Sequence, residues 1–118
     1  MKFNKARDLE TVKSWSEHPL DEARVPETGY IDEFQCVFLF PAVSGICLLD
    51  CWMVNPKATK KQIVKSFVKN VPTIFEYAKD LNSSILIIPS RSPFVSRAFA
   101  KYGQGAGFAV ELCYFKVP

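Results

Sequence analysis

The sequence is poor in the residues that usually build a reactive centre. It has one histidine, His18, and four cysteines, Cys36, Cys47, Cys51 and Cys113, with no CxxC pair and no histidine at ligand spacing from a cysteine. Cys47 and Cys51 fall in one apolar run that reads as a strand, which sets them roughly 13 Å apart at about 3.3 Å per residue. Neither a disulfide nor a shared zinc fits that separation. Free cysteines in a reducing compartment and no metal site are therefore expected. Any Ser-His-Asp or Cys-His scheme would have to use His18, which sits beside Pro19 at an expected helix end, where a capping or surface role is simpler. Also missing is any apolar run of the ~18 residues a membrane span needs. The opening MKFNKARDLE has no hydrophobic stretch of the kind a secretory leader carries. A soluble cytoplasmic protein without a membrane partner is the expectation.

Charge of one sign is scarce as well. Fifteen Lys+Arg stand against twelve Asp+Glu, a net of +3, far from the strongly basic face of a nucleic-acid binder. The distribution says more than the sum. Asp21, Glu22, Glu27, Asp32 and Glu33 crowd the first third, and Lys57, Lys60, Lys61, Lys65 and Lys69 gather in the middle. What the chain does have is bulk: it is 118 residues long and 48% hydrophobic, with ten Phe, four Tyr and two Trp. That length and content predict one domain over residues 1–118 with its own core and argue against disorder.

Along the chain the pattern predicts a short strand over Lys2–Lys5, then a helix capped by Asp8 with Leu9, Val12 and Trp15 on one face. Pro19–Gly29 reads as a loop or one broken helical turn. Tyr30–Asp32 and Phe34–Phe40 read as strands, with Pro41–Gly45 closing a hairpin. Ile46–Val54, the most hydrophobic run, reads as a central strand stopped by Asn55-Pro56. Thr59 with Gln62 three residues on makes a capping box. Beyond it Ile63, Phe67, Val71, Ile74, Ala78 and Leu81 recur at helical spacing, with Pro72 interrupting. Ile85–Ile88 is a short buried strand. Ser92-Pro93 starts a last helix carrying Phe94, Val95, Ala98 and Phe99 and stopped by Gly103, and Phe108–Val117 is a final strand. The order β-α-β-β-β-α-β-α-β gives a mixed sheet of about six strands flanked by helices, with at least one parallel crossover.

That order, with a long helix capped just after the most apolar strand, resembles the GNAT superfamily of N-acetyltransferases. At residue level the resemblance rests on Leu48–Ala58 and Ile85–Gly103. The family's cofactor motif follows a strand ending V-x-P and reads [RQ]-x-x-G-x-[GA] at the helix start. Val54-Asn55-Pro56 matches the opening, whereas Thr59 stands in the Arg/Gln slot and Gln62 and Val64 stand in the two small ones. Short GNAT-like proteins of tailed bacteriophages are similar in size and in lacking these glycines, which would make the host cytoplasm the compartment.

The resemblance implies acetyl-CoA as co-substrate, with its pyrophosphate at the helix start formed by Thr59, Lys60, Lys61, Gln62 and Ile63. A helix N-terminus offers unpaired N–H groups and the positive end of a dipole, and Lys57, Lys60 and Lys61 add cations there. It also implies a pantetheine arm paired with the backbone at Met53 and Val54, on a strand that splays from its neighbour. Ser90 and Ser92 fall where the family often has a cofactor-contacting Asn. Asp50 is the polar intruder in the apolar run. Alternation puts it on the face of Leu48 and Trp52, and a carboxylate among apolar neighbours suits a general base toward an amine. The tyrosine that often protonates the leaving thiolate falls on Phe99, which has no hydroxyl, and Tyr102 points elsewhere around the helix.

The leading expectation is a minimal acetyl-CoA-dependent N-acetyltransferase acting on an amine acceptor, free or on a protein, which reaches the site past the acidic loop between Pro19 and Glu33. The alternative is a GNAT-shaped phage accessory protein, catalytically degenerate, that binds a host or virion protein. A filled gap beside Val54 favours the second and an open cleft the first.

Overall fold

The first helix starts earlier than its pattern predicts, because Asn4 rather than Asp8 caps it. The Asn4 side chain accepts the Arg7 amide at 3.0 Å, and Asp8 Oδ2 accepts the Asn4 amide in return at 2.8 Å. Helix α1 therefore covers Lys5–Trp15. The strand expected at Lys2–Lys5 shrinks to an isolated bridge between Lys2 and Tyr30. A computed structural model describes residues 1–89, 93–102, 104–109 and 112–118, and their side chains except at residues 43, 93, 104–109 and 112–116.

A single 3-10 turn, Glu22–Arg24, leads to β1 (Gly29–Ile31) and β2 (Gln35–Pro41). The turn Val43–Gly45 follows, with Ser44 and Gly45 at φ of 65° and 74°. Glycine meets that demand without strain. Next come β3 (Ile46–Val54), α2 (Lys60–Asp80), β4 (Ile85–Pro89) and α3 (Pro93–Ala100). Pro72 lies inside α2, and the helix runs through it. The single strand expected over Phe108–Val117 is instead two, β5 (Gln104–Ala109) and β6 (Leu112–Lys116), paired antiparallel. Ser90, Ser92 and Gly103 lie outside the described residues.

The protein is α+β, with one mixed sheet in the order β1-β2-β3-β4-β6-β5. The β3–β4 pair is parallel, as a strand–helix–strand crossover requires, and the other pairs are antiparallel. Strand β2 is buried on both faces, and its alternation feeds two cores. Val37 and Leu39 join Phe67, Val71, Ile74, Phe75 and Ala78 of α2 and Val95, Ala98 and Phe99 of α3. Cys36 and Phe38 join Phe3, Val12 of α1, Val25 and Met53 on the opposite face. Helices thus cover both faces of the sheet. Among the described residues no helix is long and apolar enough to cross a membrane.

Candidate site at the parting of two strands

Strands β3 and β4 pair only over Ile46–Leu48 and Ile85–Ile87. Beyond that point β3 stays with β2 as far as Val54, and β4 stays with β6 as far as Pro89. A cavity of about 90 Å³ opens where they part, lined by Leu49 to Trp52 on one side and Ile88 and Pro89 on the other. Phe67 and Val95 line it from the helices. This volume is well below the roughly 300–1,000 Å³ of a small-molecule pocket.

The free half of β3 carries an irregularity with a large consequence. Cys51 has φ of 58°, a left-handed conformation. The register with β2 slips by one residue there, so that Cys51 and Trp52 oppose the single Val37 between the Phe38–Asp50 and Cys36–Met53 pairs. This is a β-bulge, and it exchanges the two faces of the strand. Cys47 and Leu49 belong to the α2–α3 core, whereas Met53 belongs to the α1 core. The expectation that Asp50 shares a face with Trp52 is thereby corrected. Trp52 turns instead toward α2, where its ring stacks on Phe67 at 4.8 Å between centroids. Its Nε1–H donates to Oε1 of the buried Gln35 at 2.8 Å, and Gln35 Nε2 donates to the Ile63 carbonyl at 3.3 Å. A glutamine from β2 thus latches the indole to the first turn of α2.

Asp50 is exposed rather than set among apolar neighbours, and its Oδ1 accepts the Cys51 amide at 2.8 Å. It does line the cavity. Beside it, the Cys51 thiol is pushed above its ordinary value, first by burial and then by the Asp50 charge. Cys47 is pushed up to about 11 by burial, and burial raises Cys36 further still. A thiol held protonated is a poor nucleophile, so a covalent cysteine route is disfavoured at all three positions.

At the start of α2 the capping box is formed. Thr59 Oγ1 accepts the Gln62 amide at 3.2 Å, and Gln62 Oε1 accepts the Thr59 amide at 2.9 Å. Lys57 N–H goes to Asn55 Oδ1, Ala58 N–H to the Asn55 carbonyl, and Ile63 N–H to the Thr59 carbonyl. Asn55 is itself anchored to the β1–β2 turn through Phe34 and Glu33. Of the five expected pyrophosphate residues, Thr59, Gln62 and Ile63 have their amides engaged. The Lys60 and Lys61 amides have no hydrogen-bond acceptor among the described residues. The ammonium groups of Lys57, Lys60 and Lys61 enter no ion pair among the described residues.

Met53 is buried against the α1 core and Val54 is exposed. Phe99 is fully buried, in ring contact with Phe67 and Phe75. Tyr102 lies beyond the end of α3, exposed, with Lys101 over its ring. The expected contact residue Ser92 falls outside the described residues. Sequence reasoning missed Gln35 and Trp52. A lone polar residue at the start of an apolar strand was the available signal for the first, and nothing local marks the second. Among the described residues no three His, Cys, Asp or Glu side chains converge on a metal position. No family model, no curated protein and no solved structure matches the chain.

Proposed function

We propose that the chain is a minimal GNAT-like N-acetyltransferase that takes acetyl-CoA and an amine. The observation that carries this reading is the parting of β3 from β4 directly before a helix whose first amides, Lys60 and Lys61, remain free. An anion seated on those amides gains the dipole of α2 and the charges of Lys57, Lys60 and Lys61. The pantetheine arm would run along the free edge of β3 at Met53 and Val54, bringing the thioester to the cavity beside Asp50. The amine lone pair attacks the thioester carbonyl, the C–N bond forms and the C–S bond breaks. Asp50 takes the amine proton, and the departing coenzyme A sulfur is protonated by water, since Phe99 offers no hydroxyl.

Calorimetric titration with acetyl-CoA tests this. Saturable binding is expected, and it should be abolished by Lys60→Glu with Lys61→Glu but retained by Lys13→Glu on α1. Absence of heat and of any thermal shift at millimolar acetyl-CoA would sink it.

One observation favours a second reading, a GNAT-shaped accessory protein that binds a host or virion protein without catalysis. Trp52, latched by Gln35 and stacked on Phe67, lines a gap of only about 90 Å³. Trp52→Ala separates the two. If the indole merely gates the gap, its removal strengthens acetyl-CoA binding; if cofactor binding has been abandoned, the variant stays silent.

A further inference from the structure

A larger cavity, about 410 Å³, lies between the β1–β2 turn and α2, at the end of the sheet that β1 forms. Its walls are Tyr30, Asp32, Glu33 and Phe34 on one side and Gln62, Lys65, Ser66, Lys69 and Asn70 on the other. Its size falls within the roughly 300–1,000 Å³ of small-molecule sites.

Asp32 fixes the two walls relative to each other. Its Oδ1 accepts the amides of Phe34 and Gln35 at 2.7 and 3.0 Å, and its Oδ2 accepts the hydroxyls of Tyr30, at 2.8 Å, and of Ser66. Four donors use the capacity of a carboxylate, so Asp32 is framework. Burial, with the neighbouring carboxylate, raises the Tyr30 hydroxyl and keeps it a donor. The charges left over are Glu33 on one wall and Lys65 and Lys69 on the other. None of the three enters an ion pair or a side-chain hydrogen bond among the described residues. Lys65 and Lys69 are four residues apart on one helix, so they stand one above the other and can converge on a single anion. Gln62 commits Oε1 to the helix cap and keeps its NH2. Asn70 commits Nδ2 to Ser66 and keeps its Oδ1.

We propose that this cavity binds a small zwitterion with the chemistry of a free α-amino acid. Its carboxylate lies between Lys65 and Lys69 with the Gln62 amide as a further donor, its ammonium lies on Glu33, and an apolar side chain lies against Phe34. A purely anionic ligand would meet Glu33 with like charge, and a purely cationic one would meet the two lysines. Only a ligand carrying both signs satisfies both walls. The proposal does not rest on the transferase reading: the two cavities share no lining residue, and of the expected pyrophosphate residues only Gln62, through its free NH2, takes part.

The test is calorimetry of the intact protein with L-leucine against its two half-ligands, isocaproate, which lacks the ammonium, and isoamylamine, which lacks the carboxylate. Leucine is expected to bind saturably at millimolar affinity or better, and each half-ligand about tenfold more weakly. Glu33→Gln, and Lys65→Met with Lys69→Met, should each weaken leucine by about tenfold, while Lys79→Met in the last turn of α2 leaves it unchanged. Far-UV circular dichroism of each variant separates lost binding from lost folding. The proposal is overturned if neither leucine nor phenylalanine binds, if isocaproate binds as tightly as leucine, or if a folded Glu33→Gln variant binds leucine normally.

Discussion

The two halves of β3 share one strand and one run of apolar sequence, yet their surroundings differ. Ile46–Leu48 has a neighbour on each side, β2 and β4, and Cys47 is fully buried. From Leu49 to Val54 the strand keeps only β2, bulges at Cys51 and exposes Asp50, Cys51, Trp52 and Val54. The first half behaves as core and the second as a shelf. A central strand can therefore be structural at one end and open to a ligand at the other, provided something other than a partner strand holds the open end in place. Here the bulge and the Gln35–Trp52 latch do so.

The largest effect should come from striking the paired half. Leu86 of β4 lies in register with Cys47 and is fully buried, so Leu86→Ala should cost about 2–5 kcal/mol in denaturant unfolding. Trp52→Ala, a larger deletion in the shelf, should cost only about 1–2 kcal/mol because the residue is 40% exposed. Equal losses would erase the distinction between the halves.

The latch comes next. Gln35→Leu keeps the bulk of a side chain that is 1% exposed but removes the acceptor of the indole N–H. About 1–3 kcal/mol should be lost. In a Trp15→Phe background the emission of Trp52 should move to the red as the ring leaves Phe67. Unchanged emission would mean that stacking alone holds the indole.

The smallest effect sharpens the bulge. Cys51→Val places a β-branched residue at φ of 58° and should cost about 1–2 kcal/mol. Cys51→Gly should stay within about 0.5 kcal/mol of the parent. Like effects from the two would mean that residue 51 is extended in solution.

Much of this architecture is legible from short-range pattern. The Thr59–Gln62 box, the apolar stripe of α2 and the parallel crossover into Ile85–Ile88 follow from residues a few positions apart. The errors cluster where two local signals compete or where one apolar stretch spans two strands. Asn4 and Asp8 are both cap residues, and the earlier one caps while the later one returns the bond. The Phe108–Val117 stretch reads as one strand because its apolar residues run on from the end of β5 into β6, and periodicity does not mark the boundary. The candidate site was legible only as a location. Its lysines and helix start lie where the pattern puts them, but the engagement of most amides and the exposure of Asp50 do not follow from spacing.

By itself the sequence determined β2, β3, β4 and the start and apolar stripe of α2, because periodicity and capping are set within one or two turns of chain. The tertiary structure decided which way β3 faces at its end. Cys47, Leu49 and Met53 share parity in the sequence, and only the left-handed Cys51 sends Met53 to the α1 side and Trp52 to α2. That choice depends on partners such as Gln35, 17 residues from Trp52 in the chain, and on Phe67 across the helix. No local rule encodes contacts that exist only once the sheet and its helices have packed.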